Sequence, residues 1–264
     1  MSGMRYGSIA CTPPTNDAVR MPMNPSFRQL FVDFVAARRH VRAAAFDAHQ
    51  HAHPSCAEAP PFGDASTNRW HALHKSLQRL LQWPGASTHA DFLTKALLDP
   101  YFPAEMIQRT LFSHVTGMRF YIDKNRPELQ PLLLRDLAQF AEAFLQIRQD
   151  LSQLTSLSPA GIPLDGRSFP KPSGQWCRLC GTCCEIGGVP AVAPPGVVYP
   201  LHWRALLEGT RLDNQQLCPF LFQSPGSMHH FCSIHRIKPV PCSAFDAEDC
   251  RARQRDGPLH QPPP

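Results

Sequence analysis

The sequence predicts a mainly α-helical protein, an N-terminal helical bundle followed by a small, irregular, cysteine-rich domain. Three observations predict it. Apolar residues recur at helical spacing between Phe27 and Leu151. A stretch rich in Ser, Pro and Gly at 156–174 then interrupts the pattern. Beyond it lie eight of the ten cysteines, between Cys177 and Cys250.

The 264 residues suffice for one or two domains with a real apolar core. Hydrophobic residues at 43% and charged residues at 18% exclude both a membrane-like and a broadly disordered chain. The net charge of +5 is spread without a Lys/Arg block interleaved with aromatics, so no nucleic-acid surface is expected. Residues 1–20 lack the apolar stretch of a secretory signal, and no window has the length of a membrane span. These features predict a cytoplasmic protein. In that reducing compartment clustered thiols serve metal binding or redox chemistry more often than disulfides.

Residues 1–23 are polar and punctuated by Pro, a flexible tail, and 24–155 form the helical domain. A first helix is expected from Asn24-Pro25, with Asn as cap and Pro in the first turn. Phe27, Leu30, Phe31, Phe34, Val35 and Val41 form its apolar face. His49 to Asp64 read as a loop. A second helix spans 67–83 with Trp70, Leu73, Leu77, Leu80 and Leu81 as its stripe, ended by Pro84. His71 and His74 on it read as packed, hydrogen-bonded histidines. A short helix over 89–98 follows. Another opens at Pro103 and carries Met106, Ile107, Leu111, Val115, Met118 and Ile122. The longest, 128–154, runs through Leu134, Leu137, Phe140, Phe144, Ile147 and Leu151. Such stripes pack against one another as a bundle, the surface offered to a protein partner. No oligomeric state is legible.

After the 156–174 linker, residues 175–252 form the cysteine-cluster domain, and 253–264 a second flexible tail. "QWCRLCGTCCEIGG" puts Cys177, Cys180, Cys183 and Cys184 into eight consecutive residues, and Cys218, Cys232, Cys242 and Cys250 follow. A Cys-x2-Cys turn brings two sulfurs to one ion. Gly181 can adopt the positive φ that turns backbone N–H groups toward the thiolates. Adjacent Cys183 and Cys184, in extended backbone, point to opposite sides, so one faces a second metal or the core. Cys177, Cys180 and Cys183 reproduce the run that holds cubane iron–sulfur clusters, with Cys218-Pro219 as the remote ligand. Two zinc sites of four thiolates each satisfy the same spacing. All eight cysteines are therefore candidate ligands, for zinc ions or for an iron–sulfur cluster. A segment this small has little apolar material for a core of its own, so metal is expected to fold it. Chelation should then unfold the chain after Gly174 and spare the helices before Ser156.

Cys177-Arg-Leu-Cys180-Gly181-Thr-Cys183-Cys184, then Cys218-Pro219-Phe220-Leu221, then Cys232-Ser-Ile234-His235-Arg-Ile-Lys238-Pro239-Val-Pro-Cys242 resemble the CxxCxxCC, or YkgJ-type, cysteine-cluster family. That family is described as a zinc- or iron-chelating domain. The resemblance covers residues 176–250, about a third of the chain, and implies metal chelation. In the family's C-x-I-Y-x-x-R-P-x-x-C block, His235 stands here in place of Tyr and Lys238 in place of Arg. Lys keeps the charge without the bidentate fork, and His brings a ring nitrogen. A similar cluster in flagellin lysine methylases makes an iron–sulfur enzyme with redox or protein-modifying activity the alternative function.

Other residues invite chemistry less strongly. His49, His51, His53 and Cys56 could chelate if extended, since i and i+2 then share a face, but a solvated loop is the commoner use. His229-His230 could join the cysteines as a mixed ligand. Asp246, Glu248 and Asp249 read as a solvated turn, and Cys11 and Cys56 as isolated thiols. The sequence shows no P-loop, GxGxxG run or Ser–His–Asp signature, and no catalytic residue is assigned.

Overall fold

A computed structural model describes residues 25–51, 64–112, 126–155, 179–224 and 229–256. The protein is mainly helical, as the periodicity predicts, with one two-stranded hairpin among these residues. The helices are α1 (Phe27–His51), α2 (Asp64–Leu81), α3 (Ala90–Leu98), α4 (Ala104–Thr110), α5 (Gln130–Thr155), α6 (Leu201–Leu207), α7 (Val240–Ala244) and α8 (Ala247–Asp256). Strands β1 (Leu221–Gln223) and β2 (His230–Cys232) pair antiparallel.

α1 begins two residues later than expected because Ser26, not Asn24, caps it. Its Oγ accepts the N–H of Gln29 at 3.1 Å, satisfying a free donor of the first turn. The helix then runs through His51, so His49 and His51 lie on helical backbone. The extended geometry that would bring alternate histidines to one face is absent there; His53 and Cys56 fall outside the described residues, as does Cys11.

α1 packs on α2, α4 and α5, and α3 on α5. All six predicted positions of α1 are buried, and so are all six of α5. On α2 the buried set narrows to Leu73, Leu77 and Leu80, while Trp70 is 46% exposed. Phe27 meets Trp83 with ring centroids 5.2 Å apart, and Arg79 lies 3.8 Å from Asp33. The C-terminal end of α2 thus lies beside the N-terminal half of α1, and Trp70 sits at the other end. His71 and His74 are exposed, which corrects the packed reading; the buried stripe turns them outward. The helix from Pro103 is described only to Phe112, so Val115, Met118 and Ile122 lie outside the described residues. Buried Arg38 of α1 donates to the carbonyls of Asp99 and Phe102 at 2.6 Å each, satisfying the end of α3.

The C-terminal segment has no separate core, because it shares the bundle's. Tyr199, Trp203, Leu206, Leu207, Leu217, Phe220, Leu221, Phe222, Phe231 and Ile234 are buried in one continuous cluster with the helices. Phe222 stacks among Phe144 (5.0 Å), Tyr101 (6.3 Å) and Phe231 (6.0 Å). The Gln223 N–H donates to the Tyr101 carbonyl at 2.8 Å, so the hairpin is bonded directly to the bundle.

Asp150 of α5 fastens α6. One carboxylate oxygen takes His202 Nε2 at 2.6 Å and Trp203 Nε1 at 2.7 Å, and the other takes Gln146 Nε2 at 2.9 Å. Partial burial works to raise this carboxyl's pKa, but the bonds from His202, Trp203 and Gln146 and the charge on His202 outweigh it. The pKa stays below the usual 3.8. A depressed folded pKa means the contribution is present above the unfolded value and is lost as pH falls through the folded one. Asp150→Ala is therefore expected to destabilise the protein by about 2 kcal/mol near pH 7, the scale of hydrogen bonds to a charged group. The deficit should shrink as pH falls below about 4, where the wild type loses the same interaction. Urea titrations at the two pH values check this, and an equal deficit at both would refute it.

Candidate metal centre

The cysteines are placed by turns rather than by regular elements. Leu179 has φ +53° and Gly181 φ +77°, so the chain curls around Cys180. A 3-10 turn, Thr182–Cys184, follows, held by the bond from Cys184 N–H to the Gly181 carbonyl at 2.8 Å. Here the expectation for Cys183 and Cys184 is corrected. Their backbone is a turn, not a strand, and their sulfurs lie 4.0 Å apart on the wall of the same cavity.

Gly181 takes the predicted positive φ for two reasons. A left-handed backbone costs other residues about 1–2 kcal/mol. A Cβ here would also come within 3.1 Å of His230 Cβ and 3.2 Å of Leu221 and Met106. Gly181→Ala is expected to cost at least about 1–2 kcal/mol in urea denaturation. An unchanged midpoint would show that the loop relaxes freely.

Later segments close around this loop. Cys218 N–H donates to the Cys184 carbonyl at 2.8 Å. The His230 N–H donates to the Leu179 carbonyl at 2.6 Å, clamping β2 onto the Cys180 turn. Strand alternation then divides the hairpin. Phe222 is committed to the aromatic core, Leu221 and Cys232 line the cysteine cavity, and Phe231 borders both. Cys242 comes from α7 and Cys250 from α8, which packs on the Thr182–Cys184 turn.

Asp246, Glu248 and Asp249 form the cap of α8. Asp246 Oδ1 accepts from the N–H groups of Glu248 (2.7 Å) and Asp249 (3.0 Å), and Asp249 Oδ2 accepts from the Asp246 N–H at 3.2 Å. Those backbone bonds hold the Asp246 carboxyl below its usual pKa. Sequence spacing carried the signal, an acidic residue three positions before another at a helix start.

Cys180, Cys183, Cys184, Cys218, Cys232, Cys242 and Cys250 thus line one cavity of about 350 Å3, delivered from five separate stretches of chain. Cys177 lies outside the described residues. His230, His235 and Lys238 line the same cavity. Next to this loop, Arg109 of α4 pairs through Nε with Glu185 at 2.8 Å, one residue after Cys184, tying the loop to the bundle.

The thiols influence one another strongly. Cys184 is pushed well up by its sulfur contacts with Cys183 and Cys218 and by burial. Cys218 is held low because it accepts from Cys184 and from the Phe220 N–H, which together outweigh its burial. Burial, then the neighbouring Cys218, pushes Cys232 up, and the same two causes take Cys242 to about 11 against a favourable Lys238. Tyr199, whose hydroxyl donates to the Ile237 carbonyl, is raised to about 12 by burial and by Cys232 and Cys242. Thiols crowded into a low-dielectric space cannot all ionise unaided.

Among the described residues no three His, Cys, Asp or Glu side chains are gathered as a ready-made ion shell. The donor chemistry nonetheless suits a soft metal, since thiolates select zinc, copper(I) and iron–sulfur centres. No family model matches the chain, and no curated protein or solved structure is significantly similar to it.

Proposed function

We propose that this protein binds metal in the cysteine cavity, as zinc ions or as an iron–sulfur cluster. The observation that carries the reading is the convergence of seven thiols from five stretches of chain on one cavity. Cys177, three residues before Cys180, would complete the set of eight. Eight thiolates exceed the four that one zinc ion takes, which favours a centre with more than one metal atom. When bound, the metal supplies the positive charge that lets neighbouring thiols ionise together. The protein's own part is to bring the sulfurs together, aim the N–H of Phe220 at Cys218 and place Lys238 beside Cys242. The resemblance of these cysteine blocks to the CxxCxxCC family supports the same reading.

The test is elemental analysis and an absorption spectrum of protein purified without oxygen. Stoichiometric zinc or iron is expected, and metal uptake should release protons and tighten with rising pH, because ligands must be deprotonated. Material free of both metals, and unable to take them up, would overturn the reading. A redox or protein-modifying enzyme is the second reading, favoured by the exposure of Cys183 on the cavity rim, which leaves an approach from solvent. A visible band bleached by dithionite would support an iron–sulfur enzyme, and a colourless protein with stoichiometric zinc would favour a structural metal instead.

A further inference from the structure

We infer that His230 supplies an imidazole nitrogen to this centre, making it a mixed sulfur–nitrogen site instead of an all-thiolate one; the inference rests on the metal reading above. The register of the hairpin is the first argument. Side chains two apart on a strand share a face, so His230 and Cys232 of β2 point the same way, opposite Gln223 and Leu221 on β1. The intervening pair, Phe222 and Phe231, packs ring against ring in the aromatic core, with Phe231 also bordering the thiol cavity. Cys232 lines the thiol cavity, and His230 lines it too. Its neighbour His229 has the opposite parity and is exposed.

The second argument is where the ring starts. The His230 N–H is bonded to the Leu179 carbonyl at 2.6 Å, and a Cβ on Gly181 would sit 3.1 Å from His230 Cβ. The imidazole therefore leaves its strand beside the Cys180-Gly181 peptide, within the loop that carries three of the thiols. With 5% of its surface exposed, the residue is committed to the interior. His230 borders the thiol cavity and also a second one lined by Cys180, Glu105 and Arg109. A histidine beside thiols is a nitrogen donor of the kind that joins cysteine at zinc and at iron–sulfur centres. His235 also lines the cavity, but from a 3-10 turn and half-buried, so it lacks the fixed orientation that the strand gives His230.

The experiment loads the full chain, purified without oxygen, with cadmium-113 and records its NMR spectrum. All-thiolate cadmium resonates furthest downfield, and replacing one sulfur by imidazole nitrogen moves it upfield. At least one upfield-shifted signal, coupled to a histidine ring, is expected in the wild type. It should disappear in His230→Phe and in the smaller His230→Asn, and persist in His235→Tyr. Cadmium affinity should fall about 10- to 100-fold in both His230 variants. Circular dichroism identifies which of the two His230 variants is natively folded for the comparison. Resonances confined to the all-thiolate range, or histidine coupling that survives in a folded His230 variant, would overturn the assignment and leave the metal reading standing. Failure to bind cadmium, zinc or iron at all would overturn both.

Discussion

Phe222→Ala is expected to destabilise the whole protein by about 3–5 kcal/mol, the cost of emptying a fully buried aromatic site. Phe222 has no exposed surface and touches Phe144 of α5, Tyr101 of the α3–α4 connection and Phe231 of β2. Net stabilities run to about 5–15 kcal/mol, so this one truncation removes a large share. The informative feature is where the loss appears. Because the cysteine-rich segment and the bundle share one apolar cluster, the thermal transition of the helices should move down together with that of the segment. Calorimetry checks this. An unmoved helical transition, with only a C-terminal shift, would show that the two parts fold independently.

Replacing Cys184 and Cys218 together by serine is expected to abolish most metal binding, with bound zinc or iron falling at least about tenfold. These two residues are joined by the bond from Cys218 N–H to the Cys184 carbonyl at 2.8 Å, and their sulfurs are in contact. Serine keeps the size and removes the soft donor. The effect on folding should be local. Trp203, Phe220 and Phe222 have no exposed surface and belong to the bundle's apolar cluster, against whose edge Cys184, Cys218 and Cys232 pack; serine is close to cysteine in size and leaves that cluster filled. Near-ultraviolet circular dichroism should therefore stay native-like, while α7 and α8, which carry Cys242 and Cys250, become open to proteases. The sequence alone led to the expectation that chelation unfolds the chain after Gly174; the shared apolar cluster is the ground for the narrower outcome predicted here. New cleavage within residues 240–256, absent from the wild-type digest, is the expected result; loss of the near-ultraviolet signal would restore the metal to the role of sole organiser.

How far the sequence could be read varied with the range of the interactions involved. The α5 stripe from Leu134 to Leu151 was legible because periodicity alone places six residues on one face, and all six are buried. Trp70 was misplaced by the same reasoning, since periodicity assigns a face and says nothing of how far along it the neighbouring helix covers. Asn24 and Ser26 are both good caps, and only the geometry of the first turn chose Ser26. The cysteines were legible as a set from their number and spacing. Nothing in that spacing showed that Cys183 and Cys184 sit on a turn with both sulfurs on one cavity, or that an acid-capped α8 brings Cys250 to it.

By itself the chain determined its helices, its ligand-type residues and the left-handed turn at Gly181, because these depend on side-chain period, donor chemistry and local backbone freedom. Tertiary structure decided that residues after 178 lean on the bundle instead of standing apart, and that Cys232 lines the thiol cavity while Phe222 packs into the core. The reason is physical. Apolar burial is non-directional, so Phe220, Phe222 and Trp203 could have gathered any partner. Strand register is set by pairing across the chain, and a slip of one residue would have exchanged the two faces of the hairpin.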